Sequence, residues 1–220
     1  MTNLRLKFSR KGPVAYLGHL DILRYFQKAI ARAEIDIKYS EGFNPHMILS
    51  FAYPLGVSME TEGDYADITV NTYNSLEDIK DSLNSVMNEG ISIISVSIVP
   101  DDALNAMASV ALADYSIKVD ADICDDQLKS FMKENQIMIL KEGKKGMKEV
   151  DIKPGIRSLE IQDERIFMSL KSGSGENIKP VSVIEALSNF LKIDINIELI
   201  NRIEIYKESE EGQFVPLGEF

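Results

Sequence analysis

Apolar residues follow two different spacings along this chain, and the two spacings alternate. In LRLKFSRK, residues 4–11, apolar Leu, Leu and Phe alternate with charged Arg and Lys. This period of two is typical of a β-strand that buries one face. After a Gly-Pro break at residues 12–13, apolar residues recur at intervals of three and four, which predicts a helix over about residues 20–33.

The same patterns continue to residue 101 and predict one βαββαβ unit. The further strands are IDIKYS, DYADITVN and ISIISVSIV, and the second helix is SLEDIKDSLNSVMNE. Ser75 is a residue type that caps the start of a helix, and Gly90 is one that ends a helix. The order strand, helix, two strands, helix, strand is that of a ferredoxin-like fold.

This order returns in the second half and predicts an α+β protein made of two tandem ferredoxin-like (βαββαβ) units. The units cover residues 1–101 and 114–220, and an alanine-rich segment, 102–113, links them. An insertion rich in Gly and Lys, at about residues 142–163, interrupts the second unit, and long loops are often functional or mobile. The basic side chains of this insertion could close over an anionic ligand, or they could simply be exposed to solvent. They are Lys141, Lys144, Lys145, Lys148, Lys153 and Arg157.

Cysteine content and hydropathy predict a cytoplasmic protein without a membrane partner. Cys124 is the one cysteine among 220 residues, so no internal disulfide and no paired-cysteine metal site can form. A reducing compartment is the default for such a chain. No apolar run approaches the roughly 20 residues of a membrane span, and the first residues lack the apolar core of a signal peptide.

The net charge of -11 argues against a polyanionic partner, but the charges are unevenly distributed. Residues 1–50 hold eight Lys or Arg and four acids, whereas residues 51–120 hold two Lys or Arg and twelve acids. Such segregation is compatible with a basic face on an acidic body, and also with chance.

Arg24, Lys28 and Arg32 are spaced every four residues along the first helix. Side chains at this spacing lie on nearly the same face, so the three form a basic stripe opposite the apolar face. The stripe could follow a phosphate backbone. It could equally be a solvated face on which Asp21 pairs with Arg24.

Both histidines of the chain lie near this helix. His19 is at the helix start and His46 follows a GFNP turn, and sequence leaves open whether the two share a binding site, act in catalysis or serve as cap and turn residues. Tyr39 and Phe43 add aromatic rings nearby, of which Phe43 is the better candidate for exposure. Aromatic rings beside cations are the usual means of binding single-stranded RNA.

The segments YLGHLDILRYFQKAIARA and YSEGFNPHMILSFAYPLGVSMETEGDY resemble the uncharacterised radical-SAM-linked family. These domains are fused to, or encoded beside, radical S-adenosylmethionine proteins in bacteria. The resemblance is carried by the elements GHLD, RA, YS, GFNPH and PLG, and so adds Ser40 and Asn44 to the candidate site. It implies a bacterial, cytoplasmic protein whose partner is a radical enzyme.

These observations favour a non-catalytic module that binds or presents RNA for a separate radical S-adenosylmethionine enzyme, in tRNA or rRNA modification. No catalytic residue, cofactor or metal is assigned to the chain itself, and the loops and elbows of common enzyme classes are missing from the sequence. The predicted binding residues are His19, Asp21, Arg24, Lys28, Arg32, Tyr39, Ser40, Phe43, Asn44 and His46.

Two alternatives stay open. Tandem ferredoxin-like units resemble the CRISPR repeat-processing endoribonucleases in architecture, and a metal-independent nuclease could use His19 or His46 on a ribose 2′-hydroxyl. No motif of those enzymes is matched. The acidic total also permits a protein-binding adaptor that has no affinity for RNA.

Overall fold

The computed structural model describes residues 1–143 and 146–220. Within these residues the chain forms one nine-stranded sheet, one separate hairpin, five α-helices and two short 3-10 helices, Gly12–Tyr16 and Lys153–Gly155. The strands are β1 Thr2–Arg10, β2 Leu49–Phe51, β3 Met59–Val70, β4 Ile91–Ile98, β5 Leu112–Val119, β6 Met138–Gly143, β7 Gly146–Asp151, β8 Ile156–Gln162, β9 Arg165–Lys171, β10 Ile197–Glu208 and β11 Phe214–Pro216. The helices are α1 His19–Arg32, α2 Leu76–Val86, α3 Ala106–Ser109, α4 Asp125–Lys133 and α5 Pro180–Leu191.

The large sheet has the strand order β4-β1-β3-β10-β5-β9-β8, with β2 added to β3 and β11 added to β10. Neighbouring strands are antiparallel except β3 and β10, which are parallel at Met59–Thr61 and Ile200–Arg202. The mixed α+β class is therefore confirmed. The first half contributes β4-β1-β3-β2 and the second half β10-β5-β9-β8. Their interpretation as two tandem ferredoxin-like units stays a prediction, since the halves share one sheet.

The core of the first half follows the predicted periodicities. Leu4, Leu6 and Phe8 of β1 are buried against the inner face of α1, as the alternation predicted. Three buried residues of α1, Ile22, Phe26 and Ile30, recur at helical spacing and complete this cluster, and Ala29 is also buried. A second cluster, built on β5, β8, β9, α4 and α5, forms the core of the other half.

Three segments differ from their predicted conformations. Residues 102–113 contain α3 and the start of β5, and Ala106 is buried in a cluster with Tyr65 and Leu217, so this segment packs as part of the fold. IDIKYS contributes only two isolated bridges, Ile37 to Val70 and Tyr39 to Met47, because the chain leaves the sheet there for a loop. The paired strand is the later β2.

The predicted insertion at residues 142–163 also contains regular structure. The predicted strand IMILKE lies in the separate β6–β7 hairpin, where Met138 and Leu140 are exposed. The edge of the large sheet is formed by β8 instead. Alternation alone does not distinguish these cases, because an exposed hairpin and a sheet strand share a period of two. No helix in the described ranges is long and apolar enough to cross a membrane.

Candidate functional site

Helix α1 carries the predicted basic stripe on its outer face, where Arg24, Lys28 and Arg32 are all exposed. The three cations differ in what they contact. Arg24 lies 3.8 Å from Asp21, measured from Nη1 to Oδ1, whereas Arg32 donates to the Val86 carbonyl at 3.0 Å. An exposed ion pair contributes about 0–1 kcal/mol, so Arg24 and Lys28 keep their charge available to a partner. Arg32 instead joins α1 to the end of α2.

The loop between Tyr39 and Met47 is closed at its base by reciprocal hydrogen bonds. The Ser40 amide donates to the His46 carbonyl at 2.8 Å, and the His46 amide donates to Ser40 Oγ at 3.1 Å. Ser40 Oγ also lies 2.8 Å from His46 Nδ1. These contacts join the two ends of the loop and so limit the conformations open to its tip.

The tip of this loop exposes an aromatic ring. Gly42 has a φ of +110°, which an L side chain rarely adopts, and it turns the chain so that Phe43 and Asn44 face solvent. Phe43 is fully exposed and Tyr39 at the base is 48 % exposed. The Phe43 ring is therefore accessible to a ligand.

The two histidines have different surroundings. The His19 ring is edge-on to the Phe51 ring, with 5.6 Å between centroids, near the part of β3 that pairs with Phe51 at Ala66. The loop of His46 leaves the sheet near Thr69, where the Lys38 amide bonds. Ala66 and Thr69 are three residues apart on β3, which corresponds to a distance of roughly 10 Å along the strand. The contacts thus bring together Ser40 with His46, and Asp21 with Arg24, but pair His19 with a core ring.

The loop and α1 both pack on the core of the first half. Met47 at the loop base and Leu23 of α1 pack against the same core cluster. We name the exposed residues of this region, Arg24, Lys28, Tyr39 and Phe43, the α1–loop surface. Among the residues that the structure describes, no three His, Cys, Asp or Glu side chains are grouped to hold a metal ion.

A buried cluster of charges at the junction of the two halves escaped sequence reasoning. Arg202 of β10 donates from Nη2 to Asp64 Oδ2 at 2.6 Å and to the Tyr53 carbonyl at 3.0 Å. Arg10 of β1 donates to the carbonyls of Gly56 and Met59, both at 3.1 Å. We name Arg10, Asp64 and Arg202 the junction cluster.

Burial dominates the electrostatics of the junction cluster. Arg202 is 1 % exposed, Arg10 3 % and Asp64 4 %. Burial lowers the pKa of Arg10, and burial raises the pKa of Asp64, although the nearby guanidinium groups oppose that rise. Burial also raises the pKa of Tyr53, in the overlying loop, to about 12. These two arginines and one carboxylate leave an excess of one positive charge.

The opposite face of the sheet holds a second set of ion pairs. Arg5 is bound to Asp67 at both carboxylate oxygens, at 2.7 and 2.9 Å, and also donates to the Leu217 carbonyl. Lys7 and Tyr65 share Glu204, at 2.5 and 2.7 Å. Arg5 is thus bound by the last residues of the chain and Lys7 by Glu204 of β10, so both cations are committed to internal contacts.

The second predicted basic cluster lies on and after the β6–β7 hairpin. Lys144 and Lys145 fall outside the described residues, whereas Lys141 and Lys148 are exposed and opposite each other in the antiparallel register. Lys153 donates to the Glu134 carbonyl and therefore has a structural contact. Like charges directly opposite each other destabilise a hairpin slightly.

Comparison with known proteins identifies the family. The family described as "Uncharacterized protein conserved in bacteria (DUF2344)" matches residues 3–180. The chain belongs to this family. The match carries no statement about radical S-adenosylmethionine proteins, and no curated protein matches the chain.

Two solved structures match this chain at low sequence identity. One is a chain of a Cbf5-Nop10-Gar1 complex, with a TM-score of 0.50 and 11% sequence identity, covering 94% of this chain and 50% of that chain. The other, from the archaeal box H/ACA sRNP Nop10-Cbf5 complex, has a TM-score of 0.43 and 10% identity, covering 90% of this chain and 46% of the other. This chain therefore spans about half the length of either match, and the first likeness concerns the fold alone.

Proposed function

We propose that this protein is a non-catalytic RNA-binding module whose α1–loop surface contacts single-stranded RNA. The observation that carries the proposal is the fully exposed Phe43 on a loop whose base is fixed by Ser40 and His46. An exposed ring on a loop whose base is closed offers a base a stacking platform, and stacking is the main route to single-stranded RNA recognition.

The charges of α1 support the same assignment. Arg24 and Lys28 are exposed and are not engaged by neighbouring helices, in contrast to Arg32. Two such cations on the same half of the molecule as an exposed aromatic ring can neutralise phosphates while the ring stacks on a base. Neutralising two phosphates of a single strand gives a slope of roughly -1.4 for the logarithm of affinity against the logarithm of salt.

The proposal also includes a partner, a radical S-adenosylmethionine enzyme. The motifs GHLD and GFNPH, on which the resemblance to radical-SAM-linked proteins depends, lie at the start of α1 and in the Tyr39–Met47 loop. The module would present RNA to a separate radical S-adenosylmethionine enzyme. Co-purification of the chain with such an enzyme from a bacterial lysate tests this part, and its absence at any salt concentration would remove the partner but leave RNA binding to be judged separately.

The test of RNA binding compares two charge reversals of matched spacing. Arg24→Glu with Lys28→Glu reverses the stripe, and Lys129→Glu with Lys133→Glu reverses a similar pair on α4, where Lys129 also has an acidic neighbour, Asp125. Affinity for a labelled single-stranded RNA is measured over a salt series in the presence of chelator. We expect a loss of at least tenfold for the α1 pair and less than threefold for the α4 pair.

Other results of this binding experiment would favour other functions. Equal losses for the two pairs, or no binding at low salt, would contradict the proposal, and absence of binding would favour an acidic protein adaptor. RNA that is cut in the presence of chelator would favour the nuclease, provided that His46→Ala abolishes the cutting.

A further inference from the structure

The two outer strands of the large sheet differ in charge. At one edge, β8 holds Arg157 and Glu160, both exposed, and charged residues on an edge strand discourage pairing with another chain. At the other edge, β4 has the sequence ISIISVSI and no charged residue, in a chain with a net charge of -11. Ile94 and Ile98 of β4 are 44 % and 48 % exposed. This edge therefore lacks the protection that charges give to β8.

The backbone groups of β4 point alternately toward β1 and away from it. The Val99 amide donates to the Asn3 carbonyl of β1 at 2.9 Å, and the two strands are antiparallel. Successive residues of such a ladder alternate, so the amide and carbonyl of Ser97 point toward β1, and those of Val96 and Ile98 point to the open edge. In the described part of the chain, no residue outside the sheet bonds to the backbone of Val96 or Ile98. These two residues offer donors and acceptors to another strand.

Both ends of this open segment are closed to further pairing. Asn84 of α2 donates from Nδ2 to the Ile93 carbonyl at 3.0 Å and accepts from the Ile93 amide at 2.8 Å. The Asn84 side chain thus takes the place of a neighbouring strand at Ile93. Pro100 follows the strand and has no amide hydrogen to donate. The open segment is therefore limited to residues 94–99, and Ser97 lies between its two outward-facing residues.

We propose that β4 pairs antiparallel with β4 of a second copy of this chain, about a two-fold axis at Ser97. Val96 of each copy then lies opposite Ile98 of the other, and each pair exchanges hydrogen bonds in both directions. Identical strands related by a two-fold axis form a self-complementary contact, which closes with two copies and does not continue into a fibre. The product is one sheet that runs through both copies.

The side chains also match in this register. Val96 and Ile98 lie opposite core residues of β1, so both are on the face that packs against the helices. Pairing Val96 with Ile98 covers the exposed part of Ile98 with another apolar side chain, whereas Ser97 meets Ser97 on the opposite face. No like charges face each other along the strand, which matters between copies that each carry a net charge of -11. A second copy is therefore the strand that this edge fits.

Sedimentation equilibrium of the intact chain tests the pairing, and we expect a reversible dimer. Ile98→Lys places a charge on the open segment and should raise the dissociation constant by about tenfold or more, because lysine on an edge strand opposes pairing. Ser92→Lys adds the same charge at an exposed position of β4 beyond Ile93 and should change the constant by less than about threefold. A chain that stays monomeric up to about 1 mM, or equal dissociation constants in the two variants, would overturn the proposal.

A disulfide tests the position of the axis. In the proposed register the two Ser97 residues form a non-hydrogen-bonded pair with Cα atoms about 4.5 Å apart, which is within the span of a disulfide. The two Ser92 residues are roughly 30 Å apart along the strands. With the exposed Cys124 replaced by serine, Ser97→Cys should form a covalent dimer on mild oxidation, and Ser92→Cys should not. Equal yields from the two variants on a non-reducing gel, or no covalent dimer from Ser97→Cys, would contradict the axis.

Dimerisation and RNA binding are tested separately. The open segment shares no residue with the α1–loop surface, so the Arg24→Glu and Lys28→Glu protein should form the dimer with an unchanged dissociation constant. Loss of the dimer in that protein would assign the contact to α1 and contradict pairing through β4.

Discussion

The α1–loop surface and the junction cluster use arginine in opposite ways. Arg24 is exposed, lies 3.8 Å from its nearest carboxylate and can exchange that contact for a ligand. Arg202 is enclosed, binds Asp64 at 2.6 Å and connects the two halves of the sheet. The comparison shows that the position of an arginine in the sequence does not decide whether it meets a partner or holds the fold. Exposure decides which charges can meet a partner and which hold the fold.

The largest expected effect concerns the junction cluster. Arg202→Met keeps most of the side-chain volume but leaves Asp64 buried without its closest cation, which should cost about 3–5 kcal/mol of unfolding free energy. Urea unfolding followed by circular dichroism measures this loss. Arg24→Met should change the same quantity by less than about 0.5 kcal/mol, because its contact is exposed.

A second change tests whether the uncompensated carboxylate is the cause. Asp64→Asn added to Arg202→Met should recover part of the lost stability, because it removes the carboxylate that has lost its hydrogen-bonded cation, while Arg10 keeps its carbonyl partners. If the double variant is no more stable than Arg202→Met alone, the loss comes from packing, and the electrostatic account of the junction cluster is wrong.

The next effect concerns the stability of the fold at alkaline pH. Burial raises the pKa of Tyr53 to about 12, and burial with the Glu204 hydrogen bond raises that of Tyr65. The folded chain keeps these hydroxyls protonated above the ordinary tyrosine pKa, so unfolding releases protons there. Stability is then complete below pH 10 and falls as pH rises through about 12. Thermal unfolding across pH 8–12, with tyrosinate absorbance, measures it, and a midpoint independent of pH would contradict the burial.

Phe43 tests the exposed side of the comparison. Phe43→Ala should weaken binding of single-stranded RNA by about 1–3 kcal/mol, the usual contribution of one stacked base, without changing the unfolding free energy. Phe43→Tyr keeps the ring and serves as the matched control. Equal affinities of the Ala and Tyr variants, measured by fluorescence anisotropy, would show that the ring does not stack on RNA.

The hydrogen bonds at the loop base should give the smallest effect. Ser40→Ala removes an acceptor for the His46 amide and should cost about 0.5–1.5 kcal/mol locally, with a smaller loss of RNA affinity than Phe43→Ala. Amide hydrogen exchange of residues 40–46 measures the local effect. Unchanged exchange in this variant would mean that the loop is held by other contacts.

Local pattern was sufficient to predict part of this molecule. The alternation of β1 predicted the burial of Leu4, Leu6 and Phe8, and helical spacing predicted which face of α1 meets the sheet. Phe43 was expected to be exposed because a Gly-Asn-Pro loop leaves its large residue little to pack against. These outcomes depend on neighbours within a few residues, which the sequence shows directly.

The remaining features depend on contacts between distant residues. INRIEIY reads as a strand with polar residues outward, and only its parallel pairing with β3, some 140 positions earlier, places Arg202 under the loop of Tyr53. Arg10 likewise looks like the end of a basic strand until Gly56 and Met59 cover it. One signal in the sequence pointed to this cluster: two strands that contain buried apolar residues each hold an arginine, and a Pro-Leu-Gly turn lies between them in the chain. Solvated strands share that pattern, so it did not identify the cluster.

Photo-cross-linking of a single-stranded RNA that contains 4-thiouridine, followed by mass spectrometry of the attached peptides, tests the central claim most directly. The account predicts attachment to peptides that contain Tyr39 or Phe43 and to α1, and loss of those products in the Arg24→Glu and Lys28→Glu protein. Attachment confined to the β6–β7 hairpin, or unchanged by the charge reversal, would contradict the α1–loop surface as the RNA-binding site.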